Sequence, residues 1–467
     1  MPRVIRAALV SIRDLFSTAG PFILIALAML VAAYVVLDPT PPKRVTLATG
    51  PERSAYEDFG QRYAIELKRA GIEVELRRSA GSRENLRLLR QPNERVDLAF
   101  IQGGANDIIA RAAARNEKKT DEQKAKAKNV EDESTVLVSL GSLFYEPYWL
   151  FYREEAARKV DKKTGTLTML TQLKGMAVNV GARGSGTPGL TSRFMTVNFM
   201  ERDDVKRNNL SDTEAVVGLL GGQLDAMAMV SAPEAQYVQM LLQTPGIKLL
   251  EFPQAEAYAR RYSYITPIQL PRGVADLSRD VPPRDLSLIA ATTSLVAREG
   301  THPAIVQLFV QAAARVHSGP GWTARAGQFP TAQGSEFPIA KEAERFYRTG
   351  PPVLQRYLPF WLANLIDRMW VALFSIIAIL IPLSRLLPPL YEFRVRSRIF
   401  RWYRNLREIE NDLDERAETR EELLHRLDKL DARVASIAVP LSYTDEVYAL
   451  RTHIDLVRDR LTAKAAA

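Results

Sequence analysis

Two stretches of this chain stay uncharged for long enough to cross a lipid bilayer, and they bracket most of what lies between. No residue between Asp14 and Asp38 is charged, Leu15 to Leu37 is 23 residues, and Phe22 to Leu37 is almost wholly apolar. At 1.5 Å per helical residue this length covers a hydrocarbon core of about 30 Å. Pro21 falls near the start of the apolar run, where it is tolerated. A cleaved signal peptide would want a small-x-small site after the run. Tyr34-Val-Val-Leu-Asp38 follows instead, so a retained anchor is expected over residues 16–38. The second run, Met369 to Ser384, is also uncharged; Trp361 and Trp370 suit an interfacial aromatic belt, and Arg385 can snorkel from its end. A second span is expected over 367–387, the alternative being a buried helix of a soluble core.

Flanking charge orients the spans. Arg3, Arg6 and Arg13 precede the first; Arg385, Arg394, Arg396, Arg398, Arg401, Arg404 and Arg407 follow the second. By the positive-inside rule both clusters are cytoplasmic, which sends the chain between the spans outside, into the periplasm of a bacterium. The expected layout is a cytoplasmic N-terminus (1–15), span 16–38, linker 39–42, an outer domain 43–318, a membrane-proximal stalk 319–366, span 367–387 and a cytoplasmic tail 388–467. The surplus of 63 basic over 54 acidic residues gives +9. Anionic headgroups account for the juxtamembrane arginines, and the charges of the tail nearly balance, so no nucleic-acid partner is expected. The chain has no cysteine, which excludes disulfides, cysteine-based metal centres and thiol nucleophiles. Its four histidines (His302, His317, His425, His453) show no ligand spacing, so no metal and no cofactor are expected.

The outer domain reads as alternating strands and helices. Val45–Thr49 is a short buried strand, Ser54–Arg69 a helix stopped by Gly71, Ile72–Leu76 a strand, Ser82–Arg90 a helix with Ser82 as its cap, and Val96–Ile101 a third strand. A polar stretch follows from Ala105 to Thr135 and is assigned no chemistry. Two strand-like pieces flank Tyr145-Glu-Pro147, and a second α/β unit opens at Met176–Val180 with the glycine-rich loop Gly181-Ala-Arg-Gly-Ser-Gly-Thr187. Helices are expected at Ser211–Leu220, Pro233–Leu242 and His302–Val316, with strands at Ala226–Val230 and Leu286–Val296. Two similar parallel α/β units, the second over about 150–262, predict a two-lobed binder, with hinges near Leu143–Phe151 and Ser263–Ile268.

An ordered set of motifs runs through this domain: Val45-Thr-Leu-Ala-Thr-Gly50 with Tyr56, Ala80-Gly-Ser-Arg-Glu-Asn-Leu86, Asp97-Leu-Ala-Phe-Ile-Gln102, Tyr145-Glu-Pro147, Leu173-Lys-Gly175 through Val180-Gly-Ala-Arg-Gly-Ser-Gly-Thr187, and Gly222-Gln-Leu-Asp-Ala226. Over residues 43–318 the set resembles the TAXI solute receptors of tripartite (TRAP) transporters. The resemblance implies a type II periplasmic-binding fold, a small-molecule ligand and a TRAP-type membrane permease as partner. Typical receptors of that family are secreted and soluble, so the two spans and the tail point to a tethered subgroup.

Four loops should meet at the interlobe cleft. The first holds Thr49 and Gly50, small enough for a ligand to approach the backbone, and Tyr56. The second holds Ser82, Glu84 and Asn85; Glu84 either recognises an ammonium group or favours the helix dipole. The third is Gln102-Gly103 after a buried strand. The fourth is Gly184-Ser185-Gly186-Thr187, opening a helix, with Arg183 as the nearest strong anion partner. Tyr145 joins them from the hinge. The loop lacks the lysine of a P-loop, and no nucleophile elbow is present, so binding without catalysis is expected. Leu406, Ile409, Leu413, Leu423, Leu427, Leu430, Val434 and Ile437 fit helical spacing in the tail until Pro440, and Val447 to Leu461 resume it after Ser442 and Thr444. The tail is expected as a helical hairpin or as a coiled coil joining two copies. The sequence thus predicts a membrane-anchored receptor for a small carboxylate or amino acid, with a transmembrane sensor signalling through the tail as the alternative.

Overall fold

The computed structural model describes residues 3–38, 40–106, 136–415, 419–435 and 443–463. Pro39 of the linker, most of the polar stretch (107–135), Ile437 of the apolar series, the stop at Pro440, and Ser442, expected before the last helix, lie outside these residues. The chain opens with helix α1 (Arg3–Leu37) and then enters one compact unit, Thr40–Asn364.

The first lobe begins with β1 (Arg44–Ala48), α2 (Ala55–Lys68), β2 (Glu73–Arg77), α3 (Ser82–Arg90) and β3 (Leu98–Gln102). Ser54 starts α2 by accepting from the Glu57 N–H, and Glu57 and Asp58 complement the helix dipole in its first turn. β1 pairs in parallel with β2 and β3. The next strand, β4 (Leu137–Arg153), is one 17-residue strand, not the two pieces the sequence suggested. Pro147 sits where β4 changes partner, so its missing N–H falls at a point where one ladder ends and another begins.

The second lobe follows: β5 (Ala177–Asn179), α4 (Thr187–Val197), β6 (Lys206–Asn208), α5 (Asp212–Leu220), β7 (Ala226–Val230), α6 (Gln236–Gln243), β8 (Ile247–Leu249), α7 (Ala255–Arg261) and β9 (Ile265–Leu270). Its strands β6, β5 and β7 are parallel, and β7 and β8 run antiparallel to the second half of β4. The chain returns through β10 (Leu286–Arg298), whose first half pairs with β9 and whose second half pairs with β3 and β4. Two strands, β4 and β10, therefore cross between the lobes. The second crossing falls near Ala291–Thr293; Ser263–Ile268, expected as a hinge, instead leads into the strand that edges β10.

Each lobe has its own core. Tyr148, Trp149, Phe151 and Phe194 lie in the second, and Leu47, Tyr63, Phe100 and Phe309 in the first. The aspartates of two motifs do the same work in both lobes. Asp97 Oδ2 accepts the Thr46 N–H at 2.8 Å and Asp225 Oδ2 accepts the Ala177 N–H at 2.9 Å, so each closes the start of one parallel strand onto its neighbour. The unit is a two-lobed α/β fold of the type II periplasmic-binding class.

The first lobe is completed by α8 (Pro303–His317), capped by His302 Nδ1, and by α9 (Lys341–Thr349). The stalk expected over 319–366 is corrected at this point. Thr331 and Ile339 bridge to β4, Phe329, Ala340 and Ala343 are buried, and the Tyr347 hydroxyl donates to Leu140 O, so 319–349 belongs to the lobe. Glycine and proline there shape a tight wrap around an apolar core.

The second unit comprises Met1–Pro39 and Leu365–Ala467. It holds α1 and most of α10 (Phe360–Ser384), then α11 (Leu387–Glu415), α12 (Arg420–Ala435) and α13 (Thr444–Ala463). Residues Gly20–Leu37 and Phe360–Ser384 are long and apolar enough to cross a membrane. Pro21 lies well inside α1, and the second apolar helix starts seven residues before the expected span. In the tail Leu406, Leu423, Leu427, Leu430, Leu450, Ile454, Val457 and Leu461 are buried in one core. The spaced leucines thus pack together across three helices of one chain, one more than the hairpin expected.

Candidate functional site

Four helices of the two-lobed unit begin around one interlobe cavity of about 120 Å³: α2 at Ala55, α3 at Ser82, α4 at Thr187 and α5 at Asp212. Helix starts carry unpaired N–H groups and a positive end of the dipole, so the cavity favours negative charge. Among the described residues Arg53 is the one lysine or arginine in its lining. A buried water needs roughly 10–15 Å³, so the cavity suits a solute of a few non-hydrogen atoms, smaller than a peptide.

The lobes meet along its lip. The Glu84 N–H donates to Gly184 O at 3.1 Å, and Gly81 packs on Ser185. Gly186 lies so close to the Gln102 amide that a Cβ there would overlap Gln102 Oε1. Gly184 has φ +92 and no room for a side chain against Ala80. This is a closed cleft, and it closes only because small residues occupy the second lobe's loop.

Gln102 ends β3 at 3% exposure, and its Nε2 has no hydrogen-bond partner. A buried amide without a partner costs about 1–3 kcal/mol, which marks a place where a ligand acceptor is expected. Ser82 holds the backbone beneath it: its Oγ accepts the Gln102 N–H at 2.7 Å. The expected cap role of Ser82 is corrected accordingly; Gly81 takes the cap position and Ser82 is the first residue of the helix.

Opposite lies Glu146, on β4 where the strand crosses between lobes, at 3% exposure. Its Oε2 accepts the Tyr56 hydroxyl at 2.8 Å and also the Thr293 hydroxyl from β10. One carboxylate thus ties α2 to both crossing strands. Burial pushes Glu146 up to about 7, although the hydroxyl donors pull the other way. Burial, then the nearby Glu146 charge, holds the Tyr56 phenol well above its ordinary value. Burial also raises Asp212, in the first turn of α5.

Of the residues expected at the site, Tyr56, Ser82, Gln102, Ser185, Gly186 and Thr187 line the cavity. The others do not. Thr49 is buried against Gly60 and its carbonyl is bound by Asn85, whose amide also donates to Phe100 O. Asn85 is spent on the backbone, and Gly50 packs on Ser54. Glu84 Oε2 accepts the Ala80 N–H, and its other oxygen pairs with Arg87, which fits the dipole reading rather than an ammonium site. Gly103 donates to Thr292 O and abuts Tyr264. Gly184 serves the lip, and Arg183 is exposed outside the cavity. Tyr145 faces a larger hollow of about 730 Å³, which shares Glu52–Ala55 with the cavity as a common wall. That hollow also contains His317, whose Nε2 is buried without a partner among Phe59, Tyr63 and Phe144.

Sequence reasoning missed Glu146, Thr293, Ser211, Asp212, Thr213 and Tyr237. For Glu146 there was a signal: a lone carboxylate in an otherwise apolar strand, beside Pro147. Among the described residues no cluster of histidine and carboxylate side chains could hold a metal ion.

No curated protein matches the chain. Among solved structures, the aliphatic sulphonate binding protein SsuA of Escherichia coli aligns at 14% identity over 72% of this chain and 83% of that one, with a TM-score of 0.34. MatC of Rhodopseudomonas palustris, solved with bound malate, aligns at 14% identity over 72% of this chain and 99% of that one, with a TM-score of 0.36. The model of the NMT1-like family matches residues 48–349, well over half of the sequence, and the chain belongs to that family.

Proposed function

We propose that this protein is a membrane-anchored periplasmic receptor that captures a small anionic or zwitterionic metabolite, a carboxylate or an amino acid, and presents it to a TRAP-type permease. One observation carries the reading. The unpartnered Gln102 amide stands in a closed interlobe cavity on which four helix N-termini converge. The anionic end of the ligand sits among these donors, and Glu146 receives a hydrogen-bond donor from its other end. Ligand holds the lobes together by adding contacts that only the closed form supplies. The permease partner rests on the resemblance of the motif series to TAXI receptors. Anchoring rests on the two apolar helices and their flanking arginines; it replaces diffusion by a high local concentration near the permease.

The test is thermal denaturation of the full chain in detergent with a panel of carboxylates and amino acids. A true ligand at 100 times its dissociation constant adds roughly 2.7 kcal/mol. An intact fold stabilised by no member of the panel overturns solute capture.

A second reading, a transmembrane ligand sensor, is favoured by one feature: the tail helices share an apolar core of their own, which a passive anchor does not require. A cytoplasmic protein that binds the tail only when ligand is present supports the sensor; co-purification with a permease supports transport.

A further inference from the structure

Two residues separate helix α11 from the end of the second apolar helix. Its charge is segregated along its length. Residues 387–407 carry six arginines and one glutamate, and 408–415 carry five carboxylates and no base. It is also segregated around its axis. Val395, Ile399, Leu406 and Ile409 are buried toward the tail core. Leu386, Leu390, Phe393 and Phe400 recur at helical spacing on the opposite face and are exposed, the two rings at 72% and 62%. Arg394, Arg401, Arg404 and Arg407 border this face, and among the described residues none has an acidic partner; Arg396, by contrast, pairs with Glu446. Two phenylalanines in water on one helix face are unfavourable, and four arginines beside them attract an anionic surface.

We infer that the face of α11 bearing Leu390, Phe393 and Phe400 lies on the bilayer surface, its rings among the acyl-chain boundary and its arginines on anionic phospholipid headgroups. This rests on the anchored reading above, because the preceding helix delivers α11 to the membrane. From Leu386 to Arg404 the face is about 27 Å long. Screening confines the attraction to roughly 8 Å from the surface, so the arginines act only if this half of α11 lies along the headgroups. The acidic half then leads away into the tail bundle.

The absence of cysteine permits a direct test. Phe400→Cys and, separately, Phe393→Cys are introduced in the full chain, labelled with an environment-sensitive fluorophore, and placed in nanodiscs with spin-labelled quencher lipids. Tyr448→Cys, exposed on α13, is the reference. In discs with about one-third phosphatidylglycerol, labels at 393 and 400 are expected to quench strongly and the label at 448 weakly. Each arginine near such a surface biases docking roughly fivefold, so removing Arg394, Arg401 and Arg404 together shifts the docked population roughly a hundredfold. Quenching at 400 should then fall to the 448 level. Equal quenching at 400 and 448 in anionic discs overturns the inference, as does energy transfer between labels on two chains, which assigns the face to a second copy. Release of the full chain from membranes by alkaline carbonate overturns the anchored reading itself, and is distinguishable from both.

Discussion

Replacing Glu146 by glutamine should change how stability depends on pH, in a known direction. In the folded chain burial raises this carboxyl from 4.5 to about 7. A carboxyl with a raised folded-state pKa keeps its proton longer in the folded chain than in the unfolded one. Its contribution is therefore fully present below pH 4.5 and is lost as pH rises through 7. The shift between those two values amounts to about 3 kcal/mol. The substituted amide would keep an acceptor for Tyr56 and Thr293 and would not titrate. Chemical unfolding of the full chain in detergent, wild type against Glu146→Gln, from acid to mild alkali, isolates the effect, since all other groups cancel in the difference. The stability of the wild type relative to the variant should fall by about 3 kcal/mol across this window and then level off. A difference that is flat, or that rises with pH, refutes the account, because it means that Glu146 is ionised beside a compensating positive group.

Three further outcomes are expected. Gly184→Ala sets a Cβ at φ +92 against the Ala80 Cβ and should hold the lobes apart; small-angle scattering should show a more extended particle that ligand does not compact. Gln102→Met removes a buried unpartnered donor, so the ligand-free protein should gain roughly 1 kcal/mol while ligand-induced stabilisation falls by about half or more. His317 is held at about 3 by burial and by Arg62, so its contribution is full above pH 6.5 and is lost as pH falls toward 3. His317→Phe fills the same aromatic pocket and should remove about 3 kcal/mol of acid destabilisation at about pH 4, read as a higher melting temperature there.

Strands with unbroken apolar runs, such as β3, and helices with a serine start, such as α2, were legible because one local signal specifies them. The strand–helix alternation fixed the lobes for the same reason. What escaped depends on partners far along the chain. Ser82 looked like a cap because its place before a helix suggests one; only the approach of Gln102 gives its hydroxyl other work. Asn85 and Thr49 looked available because their bonds run to backbone 15 to 36 residues away. Residues 319–349 looked like a stalk since glycine and proline mark irregular chain, wrapped or free. Glu146 was overlooked because Tyr56 and Thr293, which hold it, lie 90 and 147 residues distant.

The most direct measurement is calorimetric titration of a solute found by stabilisation into the full wild-type chain and into Gln102→Met. One molecule per chain, with at least a tenfold weaker association in the variant, a loss of about 1.4 kcal/mol, is the expected result. Equal affinity in both proteins would place the solute elsewhere and contradict the claim that the interlobe cavity is the binding site.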